Sequence, residues 1–268
     1  MKYETAKNLN NTRFKRLIGV AKPVFDEMVK VLKAEYQVKH ARGGRKPKLA
    51  IEDLLLATLQ YLKEYRTYEQ IAADYGVHDS NLIRRSHWAE ETLVKHGFNI
   101  GKQEIKPDDV VLIDATEVKI QRPKKRQAAY YSGKKKQHVL KAQAITDTTG
   151  RIIHLDSCQA YRHDMRLLRE SRRSLHRSGL ILADSGYQGL DKIYFQAKTP
   201  VKSSKKKPLT QQDRELNHLI SSIRIKVEHV FGKVKAYKIF STTYRNHRRR
   251  FNLRMNLICG IINQELAI

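Results

Sequence analysis

Val110-Val111-Leu112-Ile113-Asp114-Ala115-Thr116-Glu117-Val118 is the stretch that decides the fold of this 268-residue chain. Its apolar, β-branched residues predict a buried strand that delivers the carboxylate of Asp114 to the edge of a sheet. A carboxylate in that place is costly unless hydrogen bonds or a metal ion neutralise it. The structural alternative is a turn-forming Asp at a strand end, and the stretch alone favours neither interpretation.

Two further acids lie downstream in similar settings. Asp184 ends the apolar run of residues 179–183 and precedes a glycine-rich turn, and Glu228 lies in an amphipathic pattern over residues 216–237. Each has an ordinary alternative, because Asp184 can be a turn residue and Glu228 can form a surface i,i+4 pair with Arg224. The recurrence of acids at the ends of core elements nevertheless favours a site built from these two acids and Asp114.

Other acids compete for the same role. Asp147, Asp156 and Asp164 are the alternatives, and Asp147 stands next to a hairpin turn, where Asp is common. Glu117 lies on the opposite face of its strand from Asp114, because side chains alternate along a strand. Asp114, Asp184 and Glu228 are therefore the predicted catalytic and metal-binding residues.

The charge of the chain predicts a polyanionic partner. Lys and Arg number 53 against 27 Asp and Glu, which gives a net charge of +26 and a sequence pI near 10.1. Self-repulsion of this size is typical of proteins that work on nucleic acid, with an anionic membrane surface as the second possibility. No apolar run approaches the length of a spanning helix and no signal-peptide core is present, so a cytoplasmic, nucleoid-associated protein is expected.

Cysteine chemistry is not expected. Cys158 and Cys259 are too few and too far apart in the sequence for a zinc site or a disulfide framework. Both are predicted to be ordinary buried thiols.

The first 100 residues are predicted to form a helical domain with a helix-turn-helix. Residues 13–36 form one or two amphipathic helices, and residues 51–65 form a strong helix. Thr67 and Gln70 have capping-box spacing for a short second helix that Gly76 ends, and Asp79 or Ser80 is expected to cap the third. The N-terminal residues of such a third helix face base edges in the major groove. The predicted readers are Asn81, Arg84, Arg85 and His87; a purely structural helical bundle is the alternative.

A basic, glycine-rich segment lies just before the helix predicted at residues 51–65. Arg45, Lys46 and Lys48 lie in it beside Pro47, and two glycines precede them. The composition predicts a mobile link whose partner is the phosphate backbone of DNA. A merely solvated loop is the alternative.

Residues 105–268 are predicted to form a second, α/β domain. Strands are expected at residues 110–120, 137–146, 151–157, 179–183 and 195–200, and helices at residues 165–175, 216–237 and 253–262. Three antiparallel strands, a helix, a further strand and late helices are the order of the ribonuclease H-like fold, in which the first and fourth strands are neighbours. Asp114 and Asp184 can then meet, and the late helix can bring in Glu228. Carboxylates converging in this way suit two divalent ions, Mg²⁺ or Mn²⁺.

The segments around the three acids resemble the catalytic segments of DDE transposases of the insertion sequence five family. The resemblance covers nearly the whole chain and is most specific around Glu228, where the family has Tyr, Arg, Glu and Lys at fixed spacing. Arg224, Glu228 and Lys235 match, whereas Ser221 stands at the Tyr position. The resemblance implies a DNA transposase that binds element ends and target DNA, assembles as a homodimer on DNA, and cleaves and joins strands with two metal ions. The alternatives are a DNA-binding regulator without catalysis and a basic RNA-binding structural protein; the latter does not explain acids at strand ends.

Helical geometry adds a prediction about cations. At about 100° per residue, Arg224 and Lys235 project within roughly 40° of Glu228, whereas Lys233 projects about 140° away. Arg224 and Lys235 are therefore predicted to contact DNA phosphates beside the metal-binding acids.

Overall fold

The computed structural model describes residues 2–41, 43–44, 46–171, 174–204 and 208–268, which divide into two compact units. The helical unit comprises residues 1–99, 234–242 and 250–268, and the sheet unit comprises residues 100–233 and 243–249. The C-terminal segments thus pack with the N-terminal helices, a division that differs from the continuous 105–268 domain predicted from the sequence. In the described residues, none of the helices has the length and apolarity needed to cross a membrane.

The helical unit is organised around one buried helix. Its helices are α1 (Tyr3–Ala6), α2 (Asn11–Ile18), α3 (Lys22–His40), α4 (Ile51–Lys63), α5 (Tyr68–Tyr75), α6 (Asp79–Lys95), α10 (Lys238–Ser241) and α11 (Phe251–Leu266). Ten residues of α4 are buried, Ile51 and the nine from Leu54 to Leu62, so this helix forms the centre of the core. A helix that is apolar on most of its circumference is stable only when others surround it.

The turn between α5 and α6 follows local sequence rules at one end and departs from them at the other. Thr67 and Gln70 form the predicted capping box, and Gly76 ends α5 in the left-handed conformation with φ 63°. The cap of α6 was predicted wrongly: it is His78, whose side chain accepts a hydrogen bond from the Ser80 amide. An imidazole nitrogen can take the accepting role that hydroxyl and carboxylate oxygens usually fill at this position.

A buried ion cluster joins the C-terminal segment to α6 inside the helical unit. The Glu90 carboxylate accepts from Nε of Arg250 at 2.8 Å and from Nε of Arg254 at 2.9 Å. The Glu90 and Arg254 side chains are 0% and 1% exposed. Removing one member would leave an uncompensated buried charge. The cluster therefore holds the last helix, α11, against α6 within this unit.

The sheet unit contains six strands in the order β2-β3-β1-β5-β6, with β4 also paired to β3. They are β1 (Val110–Lys119), β2 (Tyr131–Ser132), β3 (Gln137–Asp147), β4 (Ile152–Gln159), β5 (Leu180–Ala183) and β6 (Ala197–Lys198). The β1, β3 and β4 strands are antiparallel neighbours, whereas β5 lies parallel to β1 and β6 parallel to β5. This mixed sheet with flanking helices is the predicted ribonuclease H-like fold class.

Alternation along the strands divides the core of this unit into two layers. Leu112, Ala144 and Leu182 face the long helix α9 (Gln211–Lys235), packing against its residues Ile220, Val227 and Phe231. Val111, Ile113, Ile145, Ile181 and Ala183 face the other way, toward Leu168 of the short helix α8 (Asp164–Glu170) and the buried Tyr187. Both faces of the sheet are therefore covered, as the near-continuous apolar runs of β1 and β5 require.

Two elements are shorter than predicted. The helix expected over residues 165–175 ends at Glu170, and the strand expected over residues 195–200 is only Ala197–Lys198. Phe195 is 87% exposed, because the parallel pairing of β6 to β5 begins only at Ala197. A further short helix, α7 (Gln127–Tyr130), was not predicted.

Both cysteines are ordinary buried thiols, as predicted. Cys158 lies on β4 and Cys259 in α11, and neither forms a disulfide. Burial raises the pKa of Cys158 to about 11 and that of Cys259 to about 12, so both thiols remain protonated near neutral pH.

Candidate functional site

Asp114 and Asp184 occupy equivalent positions on two neighbouring parallel strands. Ile113 of β1 pairs with Ala183 of β5, and each acid is the next residue of its chain segment. By alternation both continue the face of Leu112 and Leu182, over which α9 packs. The carboxyl ends of parallel strands are where α/β proteins place ligands, so the sheet brings two of the three predicted acids together.

Helix α9 brings the third acid and a cation to this face. Val227 is buried in the layer under the helix, and the next residue, Glu228, is exposed. One turn earlier, the Arg224 guanidinium lies 3.4 Å from Oδ1 of Asp114, with side chains that are 11% and 17% exposed. Instead of the surface pair with Glu228 that was the alternative interpretation, Arg224 forms an ion pair between the helix and the strand.

The electrostatics of Asp114 connect the three acids. The pKa of Asp114 is raised to about 6: burial is the largest cause and the negative charges of Asp184 and Glu228 add to it, against the opposing effects of Arg224 and the Ala115 amide. A carboxylate whose pKa is raised by burial and by like charges is under-compensated: the positive charges and hydrogen bonds around it do not offset the cost of ionising it. Perturbed groups of this kind cluster at functional sites.

The turn after Asp184 holds its carboxylate close to a fourth acid. Oδ1 of Asp184 accepts from the Gly186 amide at 2.5 Å, so Asp184 is also the turn residue that its alternative interpretation predicted. A Cβ on Gly186 would lie 2.8 Å from Oδ1 of Asp184 and 2.9 Å from Oδ2 of Asp164. A side chain at position 186 would therefore require one of these carboxylates to move.

The alternative acids have other partners. Oδ1 of Asp147 accepts from the Thr149 amide, the Thr149 hydroxyl and the Arg151 amide, which makes Asp147 a hairpin-turn residue. The Ser132 hydroxyl donates to the Glu117 carboxylate. Oδ1 of Asp164 lies 2.9 Å from Nζ of Lys141, so this acid already has a lysine as its partner.

The donor set of the site fits hard divalent cations. Its members are carboxylates, the ligands that Mg²⁺ and Mn²⁺ prefer, and a cation would relieve both the burial of the Asp114 charge and its repulsion by Asp184 and Glu228. Among the described residues, however, no three Asp, Glu, His or Cys side chains converge closely enough to form a ready-made metal centre. Arg224 is the cation that pairs with Asp114 in this structure.

The predicted DNA-contacting residues of the helical unit gather at one surface. Lys46, Lys48, Asn81 and Arg85 line a cavity of about 460 Å³ between the basic segment and the start of α6. Arg45 lies outside the described residues. The structure therefore brings the predicted phosphate-contacting lysines beside the predicted base readers.

The two arginines of α6 differ in their surroundings. Arg84 is exposed and donates to Oδ1 of Asn81 at 2.9 Å, whereas Arg85 is partly buried and donates to the Leu49 carbonyl at 2.9 Å. Burial lowers the pKa of Arg85. Arg84 is thus the better placed reader, and Arg85 ties the basic segment to the helix.

His87 contributes less than its position in the sequence suggested. The Arg250 guanidinium donates to its carbonyl at 3.1 Å, and its Nε2 lies 3.5 Å from Nη2 of Arg254. Burial and then the charge of Arg250 lower the pKa of His87, so the ring is neutral at pH 7. These contacts make it part of the support behind α6.

Some of these contacts cannot be predicted from the local sequence. The pairing of Arg224 with Asp114 joins residues 110 positions apart, and the burial of Glu90 between two arginines joins positions separated by 160 or more. Lys235, the last residue of α9, belongs by its contacts to the helical unit and is half-buried. Its predicted role beside Glu228 therefore rests on helix geometry alone.

Comparison with known proteins matches both regions. Residues 113–263 match the family described as DDE superfamily endonuclease, and residues 47–99 match the helix-turn-helix of DDE superfamily endonuclease. A relative from Microchaete diplosiphon, named a probable transposase for insertion sequence element IS702, is 42% identical over 275 residues, which covers 100% of this chain and 99% of the relative. The matched regions contain Asp114, Asp184 and Glu228 in the first case and Lys48, Asn81 and Arg84 in the second.

Proposed function

This chain belongs to the DDE superfamily of endonucleases, and from that membership we propose that it is a transposase whose carboxylates Asp114, Asp184 and Glu228 cut and rejoin DNA. The observation that carries the proposal is the raised pKa of Asp114, to which burial, Asp184 and Glu228 all contribute. Three acids on one face of a sheet, in a protein with a charge of +26, suit phosphoryl transfer on a polyanion.

The residues divide the work as follows. Asp114 is held by its strand and by the Ala115 amide, and the turn that contains Gly186 orients Asp184. Two Mg²⁺ or Mn²⁺ ions held by the three carboxylates would supply activation of the attacking oxygen and stabilisation of charge at phosphorus. Arg224 keeps a positive charge beside Asp114, and a DNA phosphate is the natural alternative partner for its guanidinium.

The helical unit supplies DNA binding in this proposal. Lys46 and Lys48 contact phosphates, whereas Asn81 and Arg84 reach base edges of the element ends. Because an element has two ends, we propose that two copies of the chain assemble on the DNA as a homodimer, with target DNA as the second substrate.

Metal-dependent cleavage of a duplex that carries the element ends tests the proposal. Asp114→Ala, Asp184→Ala and Glu228→Ala should each lower cleavage by at least about 10²- to 10³-fold, the scale seen when one stabilising group is lost from a transition state. End binding should change little, because affinity comes mainly from phosphate contacts elsewhere. Asp108→Ala, which removes an exposed acid just before β1, is the matched control and should cleave normally.

Two results would contradict the proposal. Cleavage at full rate in excess chelator would exclude a metal-dependent mechanism. Specific end binding by the wild-type protein, with no cleavage in Mg²⁺ or Mn²⁺, would instead indicate a DNA-binding regulator that retains the acids without using them.

A further inference from the structure

A second basic surface lies in the sheet unit. The loop after β1 carries Arg122, Lys124, Lys125 and Arg126, all of them exposed. The segment at residues 245–249 carries three more arginines, Arg245, Arg248 and Arg249. Seven cations in two short segments repel one another, so their clustering is costly unless a polyanion lies against them.

Backbone hydrogen bonds fasten the two segments together. Tyr244 is fully buried and forms a parallel bridge with Ile120, its amide donating to the Lys119 carbonyl at 2.8 Å. The Tyr244 hydroxyl donates to the Arg249 carbonyl at 2.6 Å, which closes the arginine segment into a compact loop. The arginines are therefore held at the end of β1, where the basic loop begins.

Two cations of the surface contact uncharged side chains. The Arg248 guanidinium lies 4.6 Å from the centre of the Tyr130 ring, and Nε of Arg122 donates to Gln127 at 2.9 Å. In the part of the chain that the structure describes, no carboxylate pairs with Lys124, Lys125 or Arg248. Their charge is available to an external anion.

The backbone around these cations is strained. Arg126, His247 and Arg248 have φ values of 55°, 46° and 70°, in the left-handed region that side chains other than glycine rarely adopt. Such conformations cost of order 1 kcal/mol or more each and cluster at functional sites. Because such conformations occur in both segments, they indicate that the shape of this surface serves a function.

An open cavity adjoins the cations. It has a volume of about 480 Å³ and is lined by Arg122, Gln127, Ala128, Tyr131 and His138. Tyr131 is 44% exposed and makes an edge contact with the His138 ring, with the ring centres 5.6 Å apart. Paired bases in a duplex cannot stack on such a ring, whereas a base in an unpaired strand can, with its neighbouring phosphates on surrounding cations.

We propose that this surface binds an unpaired segment of DNA, with one base stacked on Tyr131 in the cavity and flanking phosphates on Lys124, Lys125 and Arg248. The inference rests on the proposed function for its choice of DNA. It gives the protein a second surface that contacts DNA. Asp114 and Lys119 are five residues apart on β1, so the basic loop begins roughly 17 Å along the strand from the acid. A strand that leaves the acids can reach the cavity over a few nucleotides.

Binding of the full-length protein to two DNA molecules tests the proposal. Both carry the same element end, and one has an unpaired flank of about six nucleotides while the other is fully paired. Affinities are measured by fluorescence anisotropy in chelator, so that no cleavage occurs. Tyr131→Ala should weaken binding of the unpaired flank by about 5- to 100-fold, the loss expected for one stacked base, and should leave the paired molecule nearly unchanged.

Matched controls separate the surface from general effects. Tyr161→Ala removes another exposed tyrosine, 53% exposed, and should bind both molecules as the wild type does. Lys124→Ala with Lys125→Ala should lower the salt slope for the unpaired flank by about 1.4, two phosphates at about 0.7 each. Lys102→Ala with Lys106→Ala, two exposed lysines before β1, should not.

Three results would overturn the inference. The first is that Tyr131→Ala and Tyr161→Ala have the same affinity for the unpaired flank, and the second is that Tyr131→Ala loses equal affinity for both DNA molecules. The third is that the wild type binds the unpaired flank more tightly when the flank is made of RNA. The test is independent of cleavage. If the wild type cleaves and Tyr131→Ala binds normally, only this inference fails; if Tyr131→Ala loses the unpaired flank and the wild type never cleaves, only the proposed function fails.

Discussion

Glu90 in the helical unit and Asp114 in the sheet unit are both carboxylates removed from water, and their partners differ. Two arginines bind Glu90 at 2.8 and 2.9 Å, one to each oxygen, and the Glu90 side chain is 0% exposed. Asp114 has one guanidinium at 3.4 Å, two other acids near it and a pKa raised to about 6. The first acid is fully compensated and the second is not.

We interpret the difference as that between a structural charge and a candidate functional one. A buried carboxylate with both oxygens bound holds two elements in one geometry and has no capacity left for a ligand. An under-compensated carboxylate costs stability in the free protein, and a cation can recover that cost on binding. We therefore expect substitutions at the two acids to change stability in opposite directions.

Glu90→Ala should have the largest effect on stability. It would leave Arg250 and Arg254 without their shared carboxylate, and breaking a buried pair in this way lowers the free energy of unfolding by about 3 to 5 kcal/mol. Urea denaturation measures the change. Glu91→Ala is the matched control, since Glu91 also binds Arg250 but is 58% exposed, and it should cost less than about 1 kcal/mol. Equal losses for both variants would show that Glu90 does not hold α11 to α6.

Asp114→Asn should stabilise the metal-free protein at pH 7, by at most about 3 kcal/mol. The folded pKa, about 6, lies above the ordinary 3.8, so the folded state binds more protons between these values and wild-type stability falls as pH rises through that window. Asn does not titrate, so its advantage should be small at pH 4 and complete above about pH 7. Thermal denaturation in chelator at both pH values measures it, and a pH-independent difference would contradict the under-compensation of Asp114.

A related contrast, between an exposed and a partly buried guanidinium, applies to Arg84 and Arg85 of α6. Arg84→Ala should cost roughly 1 to 3 kcal/mol of discrimination at one base pair of the element end without changing stability. Arg85→Ala should instead remove the hydrogen bond to Leu49, lowering the free energy of unfolding by about 0.5 to 1.5 kcal/mol.

Competition binding against random duplex, beside thermal denaturation, separates the two effects. Lys46→Ala with Lys48→Ala should weaken specific and random DNA alike, because phosphate contacts carry no sequence information. If Arg84→Ala also weakened both equally, α6 would be a scaffold and not a reading helix.

Lys235 should give the smallest effect. If it contacts a phosphate beside Glu228, Lys235→Ala lowers the rate of strand transfer and reduces the salt slope of binding to cleaved ends by about one. Lys233→Ala, on the other side of α9, should leave both quantities unchanged. Identical behaviour of the two variants would indicate that the cations of this helix are simply solvated.

Local sequence accounts for much of the candidate site. The Val110–Lys119 strand with Asp114, the strand that ends before Asp184 and the long helix with Glu228 were all predicted, because hydrophobic periodicity and β-branching act over a few residues. The prediction that β1 and β5 are neighbours is confirmed by their pairing, and it came from the order of elements typical of the ribonuclease H-like fold. The positions where prediction failed, such as the His78 cap and the end of α8, depend on particular contacts.

By itself, the sequence determined the type of most elements, the capping box at Thr67 and Gln70, the candidate acids and the need for a polyanionic partner. These follow from short-range sterics, from hydrophobic periodicity and from net charge. Only the tertiary structure decided that Arg224 pairs with Asp114, that Arg250 and Arg254 enclose Glu90, and that Tyr244 joins two basic segments. Each of these pairs residues more than 100 positions apart, and their free energy depends on burial and distance, which arise only once the chain has packed.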